Sequence, residues 1–335
     1  MTNLAKLHTA TGQTIMVGKQ LGMGGEGAVF AIEGRSGLAA KIYHEDRRAS
    51  RVDKIVAMTS ARLHTTAANV AYPIDVLLDQ RDEFIGFTMR RVSGHHAIHN
   101  LYSPTSRRVA FRNTNNFRFL LRTALNIARS LANVHHAGCV VGDINHSGIL
   151  IASDATVTWI DSDSFQVRAG RQLFPCAVGT PEFTPPELQG KQLHRLSRTA
   201  NHDAFGLAVI IFNLLFMGRH PFSGRYLSSG EMLLERAIEE FRFAYSARRN
   251  RTRMEPPPNV PLLTDIPADM RDAFETAFGK AGVTERPQAA DWVRLIESAE
   301  KQVVACRASL AHQYLKPARS CPWCRMETAF PGFVA

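Results

Sequence analysis

Cysteine is scarce, with five in 335 residues. That is too few for a disulfide framework in a chain this long, and it points to a reducing compartment, the cytoplasm. Long hydrophobic runs are missing too. The longest, GLAVIIFNLLFMG at residues 206–218, falls short of the ~18–20 residues a membrane span needs and reads as a buried helix, so no membrane partner is expected. The opening MTNLAKLHTA lacks the apolar stretch of a secretion signal, and no internal repeat is visible. Acidic residues are outnumbered, giving a net charge of +10. A basic balance suits nucleic acid, an acidic protein or polyphosphate. The densest basic run, ARRNRTR at 247–253, has no interleaved aromatics and leads into a proline cluster. It therefore reads as a solvated loop rather than a nucleic-acid patch. GHHAIHN, at 94–100, has three histidines but neither a nearby cysteine nor helical spacing, which argues against a metal site.

What is present is ordinary globular material, 45% hydrophobic, enough for a sizeable core. Residues 1–92 read as a β-rich unit with one helix. TIMVGKQLGMGGEGAVFAIEG alternates around a glycine cluster, as two strands and a tight turn do. LAAKIY, AYPIDVLLD and FIGFTMRRV are further strands, and RASRVDKIVAMTSARL has helical apolar spacing. Residues 93–304 are mostly helical. They include NFRFLLRTALNIARSLANVHHAG, an amphipathic helix ending at Gly138. Residues 305–335 form a Cys/His tail.

Three features suggest chemistry. In VVGDINHSGILI, residues 140–151, an apolar stretch breaks at Gly-Asp and resumes after a polar loop. Alone, Asp143 is either a turn residue, held by its own side-chain hydrogen bonding, or a general base. Gly22, Gly24 and Gly27 have Gly-x-Gly-x-x-Gly spacing, with Val29 two positions on. That pattern is shared by a dinucleotide fingerprint and a flexible hairpin. The β-branched, aromatic segment that follows favours a hairpin whose backbone amides can approach phosphates closely. Lys41 lies fourteen residues after Gly27, inside an apolar strand. An ammonium there is costly to bury unless it meets an anion; an exposed edge position is the plain alternative.

In this order, glycine loop, strand lysine, long helix and loop aspartate resemble the eukaryotic-type protein kinase superfamily. WIDSD puts Asp161 where that family has its metal-binding Asp-Phe-Gly. GTPEFTPPE at 179–187 is close to the motif that ends the activation segment. DAFGLAVIIFNLLFMGRHPFSG resembles the helix that starts at an aspartate and ends in a Gly-x-x-Pro-Phe turn, and TERPQAADWVRLI the late arginine segment. Six motifs in the family's order, from about residue 20 to about 298, make Asp143 a catalytic-site residue. GDINHSG, IDSDSFQV, PCAVGTPEFTPPELQG and CPWC further resemble a bacterial branch associated with von Willebrand A-type proteins and metal-dependent protein phosphatases, as in tellurium-resistance-like systems.

The resemblance implies an α+β, two-lobed protein-kinase-like fold and ATP-dependent phosphorylation of Ser/Thr hydroxyls on a protein substrate. It implies that Gly22, Gly24, Gly27 and Val29 cover the nucleotide and that Lys41 contacts its phosphates. Asp161 holds magnesium and Asp143 orients the acceptor hydroxyl. Met89 guards the adenine pocket, and Arg90 to Val92 supply hinge backbone. Glu187 and Arg286 resemble a buried ion pair. Asp203 resembles the aspartate that braces the catalytic loop, with a helix N-cap as the plain alternative.

Three departures stand out. Gly142 replaces the arginine before the catalytic aspartate, so activity should not need a phosphate on Ser162, Ser164, Thr180 or Thr184. Asn145 stands where the family has lysine, and Gly148 where it has a second metal-binding asparagine; Asn145 or Asp163 are the candidates for the missing oxygen. The helix after Lys41 has no obvious glutamate partner for it. Glu45 is too close to the strand, and Asp53 is the nearest helical carboxylate. These departures make a nucleotide-binding pseudokinase the alternative. In the tail, Cys306, His312, Cys321 and Cys324 have the type and number of ligands that tetrahedral zinc prefers. Together they would form a small C-terminal zinc knuckle. Unligated thiols or a redox Cys321–Cys324 pair are the alternatives, although no thioredoxin-like unit surrounds them. Cys139 and Cys176 read as packing residues.

Overall fold

The computed structural model describes residues 6–111 and 116–330. The first five residues of the expected N-terminal unit and the last five of the expected tail therefore lie outside the described residues. The chain begins with β1 (Leu7–Thr9), β2 (Thr14–Ile15), β3 (Val17–Met23), β4 (Gly27–Ile32) and β5 (Leu38–Tyr43). Helix α1 (Glu45–Ser60) follows, then β6 (Pro73–Leu78) and β7 (Phe84–Arg90). These strands form one seven-stranded sheet in the order β2-β1-β6-β7-β5-β4-β3, antiparallel throughout.

Strand alternation decides which residues face the rest of the molecule. Ala40 and Ile42 of β5 join Leu7, Ile15, Ile32, Leu77 and Ile85 in a small core on one face. Lys41 and Tyr43 therefore point to the opposite face. There Tyr43 packs with Phe87 and with Ile55 and Met58 of α1, inside the main core.

Next come β8 (His95–Ala97), α2 (Pro104–Ala110) and α3 (Phe117–His136). Helix α3 falls where the amphipathic pattern places it. Asn116 caps it by accepting from the Phe119 amide at 3.0 Å, and Gly138 follows its end with φ +74°. The hairpin β9 (Ile149–Ala152) and β10 (Val157–Trp159) joins β8 in a three-stranded sheet. A second hairpin pairs β11 (Val167–Ala169) with β12 (Gln172–Phe174). Helix α4 (Ala200–Leu215) is buried from Asp203 onward, as an all-round apolar helix must be. Thr199 and His202 close a reciprocal cap at its start.

The remainder comprises β13 (Arg225–Tyr226), α5 (Leu234–Glu239), α6 (Arg249–Thr252), β14 (Met254–Glu255), α7 (Ala268–Phe278), α8 (Gly282–Glu285) and α9 (Ala289–Glu300). Then follow β15 (Val303–Ala305), β16 (Gln313–Leu315) and α10 (Pro322–Ala329). One core runs from Phe87 and Met58 through α3 and α4 to Trp323 and Met326 of α10. The expected boundary between residues 304 and 305 thus falls inside β15, and the tail shares the core of the helical part. Among the described residues, no helix is long and apolar enough to cross a membrane.

Candidate active site

A single hairpin brings the two loop aspartates together. Because β9 and β10 pair antiparallel, with Ile149 opposite Trp159, the segment entering β9 lies beside the one leaving β10. The Ile160 amide donates to Gly148 O at 3.0 Å across that mouth. Asp143 enters from one side and Asp161 from the other. Above them lies the turn between β3 and β4. A cleft of about 470 Å³ is lined by Gly22, Gly24, Gly27, Val29, Lys41, Asp143, Asn145, Gly148, Asp161 and Asp163, among others. Met89, Arg90 and Val92 do not line it. Met89 sits at the end of β7 opposite Ala39 and Pro73, packed against the main core.

The glycines of the turn are there for different reasons. A Cβ on Gly22, Gly24 or Gly25 would meet nothing within 4 Å, whereas one on Gly27 would lie 2.2 Å from Ile42 O. Gly27 lets β4 lie close to β5, and the other three leave backbone open beside the cleft.

Lys41 Nζ donates to both carboxylate oxygens of Asp163 at 2.8 Å, and Asp161 lies 3.5 Å away. Tyr43 Oη donates to Asp163 at 2.7 Å. Burial works to lower the Lys41 pKa, but Asp163 and Asp161 outweigh it and hold it above the ordinary lysine value. Burial pushes Asp163 upward, and Lys41 and the Tyr43 hydroxyl overcome that and hold it below the usual carboxylate range. Helix α1 supplies no acid here. Asp53 is exposed, and the buried polar residue on the inward face of the helix is Lys54.

Asp143 is held by the segment beyond it. Its Oδ1 accepts from the Thr180 amide at 2.8 Å and the Thr180 hydroxyl at 2.9 Å. Among the described residues its other oxygen has no protein partner. Asn145 shapes the loop: its Oδ1 accepts from the amides of Ser147 at 2.8 Å and Gly148 at 3.1 Å. Both lone pairs of that oxygen are thereby used, and both oxygens of Asp163 are taken by Lys41. Both candidates for the missing metal oxygen are thus already engaged by protein donors. Asp161 pairs with the same Lys41 ammonium at 3.5 Å, but its side chain is 62% exposed beside the cleft.

The loop itself is braced from below. Asp203 accepts from the amides of Val141 and Gly142, each at 2.8 Å, and pairs with His135 at 2.9 Å. Thr199, not Asp203, caps α4. Gly142 has φ +75°, and a Cβ there would lie 2.5 Å from Cys176 Cβ. An arginine cannot occupy that position while Cys176 packs on it. The cation comes instead from Arg198, buried just before α4. It donates to Gly142 O at 2.8 Å and Val178 O at 3.1 Å. In sequence Arg198 looks like any basic loop residue, and no motif signals it. Further along, Arg286 makes two bonds to Glu187, at 2.6 and 2.8 Å.

In the tail, the ligand atoms of Cys306, His312, Cys321 and Cys324 all lie within 4.8 Å of one another. Cys306 and Cys324 sulfurs are 3.6 Å apart, and His312 Nδ1 is 3.4 Å from Cys324 Sγ and 3.7 Å from Cys321 Sγ. These are the ligand-to-ligand spacings of a tetrahedron around zinc. Glu327 reaches His312 Nε2 at 3.2 Å, the outer carboxylate that commonly orients a ligating histidine. The ligand spacing was readable in sequence; Glu327 was not.

Two curated relatives align along nearly the whole chain. Both carry the name Protein kinase YegI. The one from Escherichia coli strain K12 is 42% identical over 330 residues, which is 97% of this chain and 51% of the relative. The one from Escherichia coli O157:H7 is 42% identical over 325 residues, 96% of this chain and 50% of the relative. The chain thus spans about half the length of the curated relatives it matches. The protein kinase domain family matches residues 15–313, a span that includes the glycine turn, Lys41, Asp143, Asp161 and the Glu187–Arg286 pair, and the chain belongs to that family.

Proposed function

We propose that this chain is an ATP-dependent, magnesium-dependent kinase that phosphorylates Ser/Thr hydroxyls on a protein substrate. The observation that carries this reading is the convergence of Lys41, Asp143 and Asp161 on one cleft beneath open glycine backbone. Gly22, Gly24 and Gly25 leave open space in which phosphates can approach the backbone of the turn, and Lys41 adds a cation beside them. Asp161, acidic and exposed, fits a hard divalent ion, which would neutralise phosphate charge when bound. Asp143 has one oxygen anchored by Thr180 and one left to accept from an acceptor hydroxyl. Thr180 belongs to the segment that would present that hydroxyl, so base and substrate platform are tied together. Cys306, His312, Cys321 and Cys324 fit a structural zinc with no open coordination position.

A second reading, a nucleotide-binding pseudokinase, draws support from Gly148, which carries no ligand, and from the engaged oxygens of Asn145 and Asp163. Transfer of labelled γ-phosphate to a generic protein acceptor separates the two. On the kinase reading the wild type transfers phosphate and Asp143→Ala falls by ~10²–10⁴-fold. Transfer at background by both proteins, with Mg-ATP still bound, establishes the pseudokinase.

A further inference from the structure

Among the described residues, Lys54 carries an ammonium whose burial has no visible compensation. It lies on the inward face of α1 with 4% exposure, and its Nζ has no hydrogen-bond partner. A buried ammonium without an acceptor is costly, so the position calls for a partner that is engaged elsewhere in this state. The charges around it identify that partner. Cys176, Asp163 and Glu26, in that order, favour the charged form of Lys54, and Arg51 of its own helix opposes it. Glu26 is paired with Arg51, and Cys176 donates to Val178 O at 3.4 Å. Asp163 is a carboxylate with 1% side-chain exposure, and Lys41 occupies both its oxygens. Two buried cations therefore attend one buried anion, and only one holds it.

We propose that Lys54 is a positioning residue for Asp163: when a bound nucleotide's phosphates draw Lys41 away, Lys54 takes up the Asp163 carboxylate. The inference rests on the cleft being a nucleotide site. Lys41 lines that cleft and lies between Asp161 and Asp163, so phosphates compete with Asp163 for its protons. Without a second cation, releasing Lys41 would strand an ionised carboxylate in the interior, a penalty that would weaken nucleotide binding. With Lys54 the exchange leaves no charge unpaired. It also ties helix α1 to the segment carrying Asp161, a link made by a cation on the helix and an acid on the loop.

The test compares Mg-ATP with adenosine, which lacks the phosphates. By calorimetry, Lys54→Met should bind Mg-ATP about tenfold more weakly than wild type, a typical coupling between linked sites. It should bind adenosine equally well, and Lys54→Arg should restore most of the loss. In the wild type, hydrogen exchange at residues 51–58 should slow with Mg-ATP and not with adenosine. Equal Mg-ATP affinity in Lys54→Met and wild type overturns the inference, as does an equal loss for adenosine or exchange indifferent to Mg-ATP. A wild type that binds no Mg-ATP at all refutes the nucleotide-site reading itself.

Discussion

Lys41 and Lys54 are both buried lysines, and their environments move them in opposite directions. Lys41 has two acids within reach and is held above the ordinary value. Lys54 has no acid in contact, and burial lowers it from 10.5 to about 8. A group whose folded pKa is depressed in this way carries its charged-burial penalty at every pH below about 8. From there to 10.5 the unfolded chain holds a proton that the native state has released, so stability rises with pH across that window. The shift corresponds to about 3 kcal/mol at ~1.4 kcal/mol per pKa unit. Lys54→Met should accordingly gain on wild type most strongly near pH 7, and the gap between them should shrink toward pH 10. Denaturant unfolding of both proteins at several pH values checks this; a constant gap would sink it. Cys176, Asp163, Glu26 and Arg51 are the groups whose titration or charge acts on Lys54, and all are present in both proteins. For the neighbouring cleft, Lys41→Ala and Asp161→Ala should each weaken Mg-ATP in calorimetry, and affinities equal to wild type would refute the assignment.

At the scale of an element, the segment from Asp161 to Glu187 is ordered without any phosphate. Residues 165–179 contain no Ser or Thr. The four flanking hydroxyls are all committed: Ser162 donates to Ala71 O, Ser164 to Asp161 O, Thr180 to Asp143 and Thr184 to Thr180 O. The hairpin of β11 and β12 stiffens the middle, and Arg198 fastens the far end to the loop that carries Asp143, through Gly142 O and Val178 O. Bonds from a charged donor contribute roughly 1.5–3 kcal/mol each. Arg198→Met should therefore destabilise the protein by about 3 kcal/mol or more and depress phosphotransfer. Phosphatase treatment of the wild type should leave its activity unchanged. Activity that vanishes with phosphatase and returns on rephosphorylation would show that a phosphate does what is assigned here to Arg198.

Across the whole molecule, the tail is part of the helical core rather than an attachment to it. Trp323 packs at a tilt against Phe117 of α3, with ring centroids 5.5 Å apart, and its indole donates to Gln313 O at 2.5 Å. Arg118 of α3 reaches Glu300 O and Val303 O, and Arg325 of α10 pairs with Asp265 at 2.6 Å. Purified protein should carry one zinc per chain by metal analysis. Stripping it should lower the melting temperature of the helical part as a unit, because binding energy at such a site is folding energy. Mg-ATP affinity should survive at temperatures where the stripped protein is still folded. A reduced protein with no zinc and an unchanged melting temperature would leave the cluster without a structural metal.

Local pattern alone was enough for several parts of this protein. The apolar run LAAKIY marked a strand with Lys41 inside it, where an ammonium calls for an anion. The 3.6-residue period of α3 and the uniform apolarity of α4 identified an amphipathic and a central helix. The order of short motifs pointed to the cleft, and the spacing of Cys306, His312, Cys321 and Cys324 to one Cys/His cluster. Such features rest on the geometry of single strands, helices and turns, which a run of residues specifies by itself. Asp163 as the partner of Lys41, Arg198 as the clamp on the activation segment, Glu327 behind His312, and Lys54 rather than Asp53 facing inward were decided only in three dimensions. Each depends on where a residue from another part of the chain comes to rest: Asp163 lies 122 positions from Lys41, and Arg198 56 from Gly142. A buried charge is satisfied by whichever partner the packing delivers, and proximity along the chain does not reveal which that is.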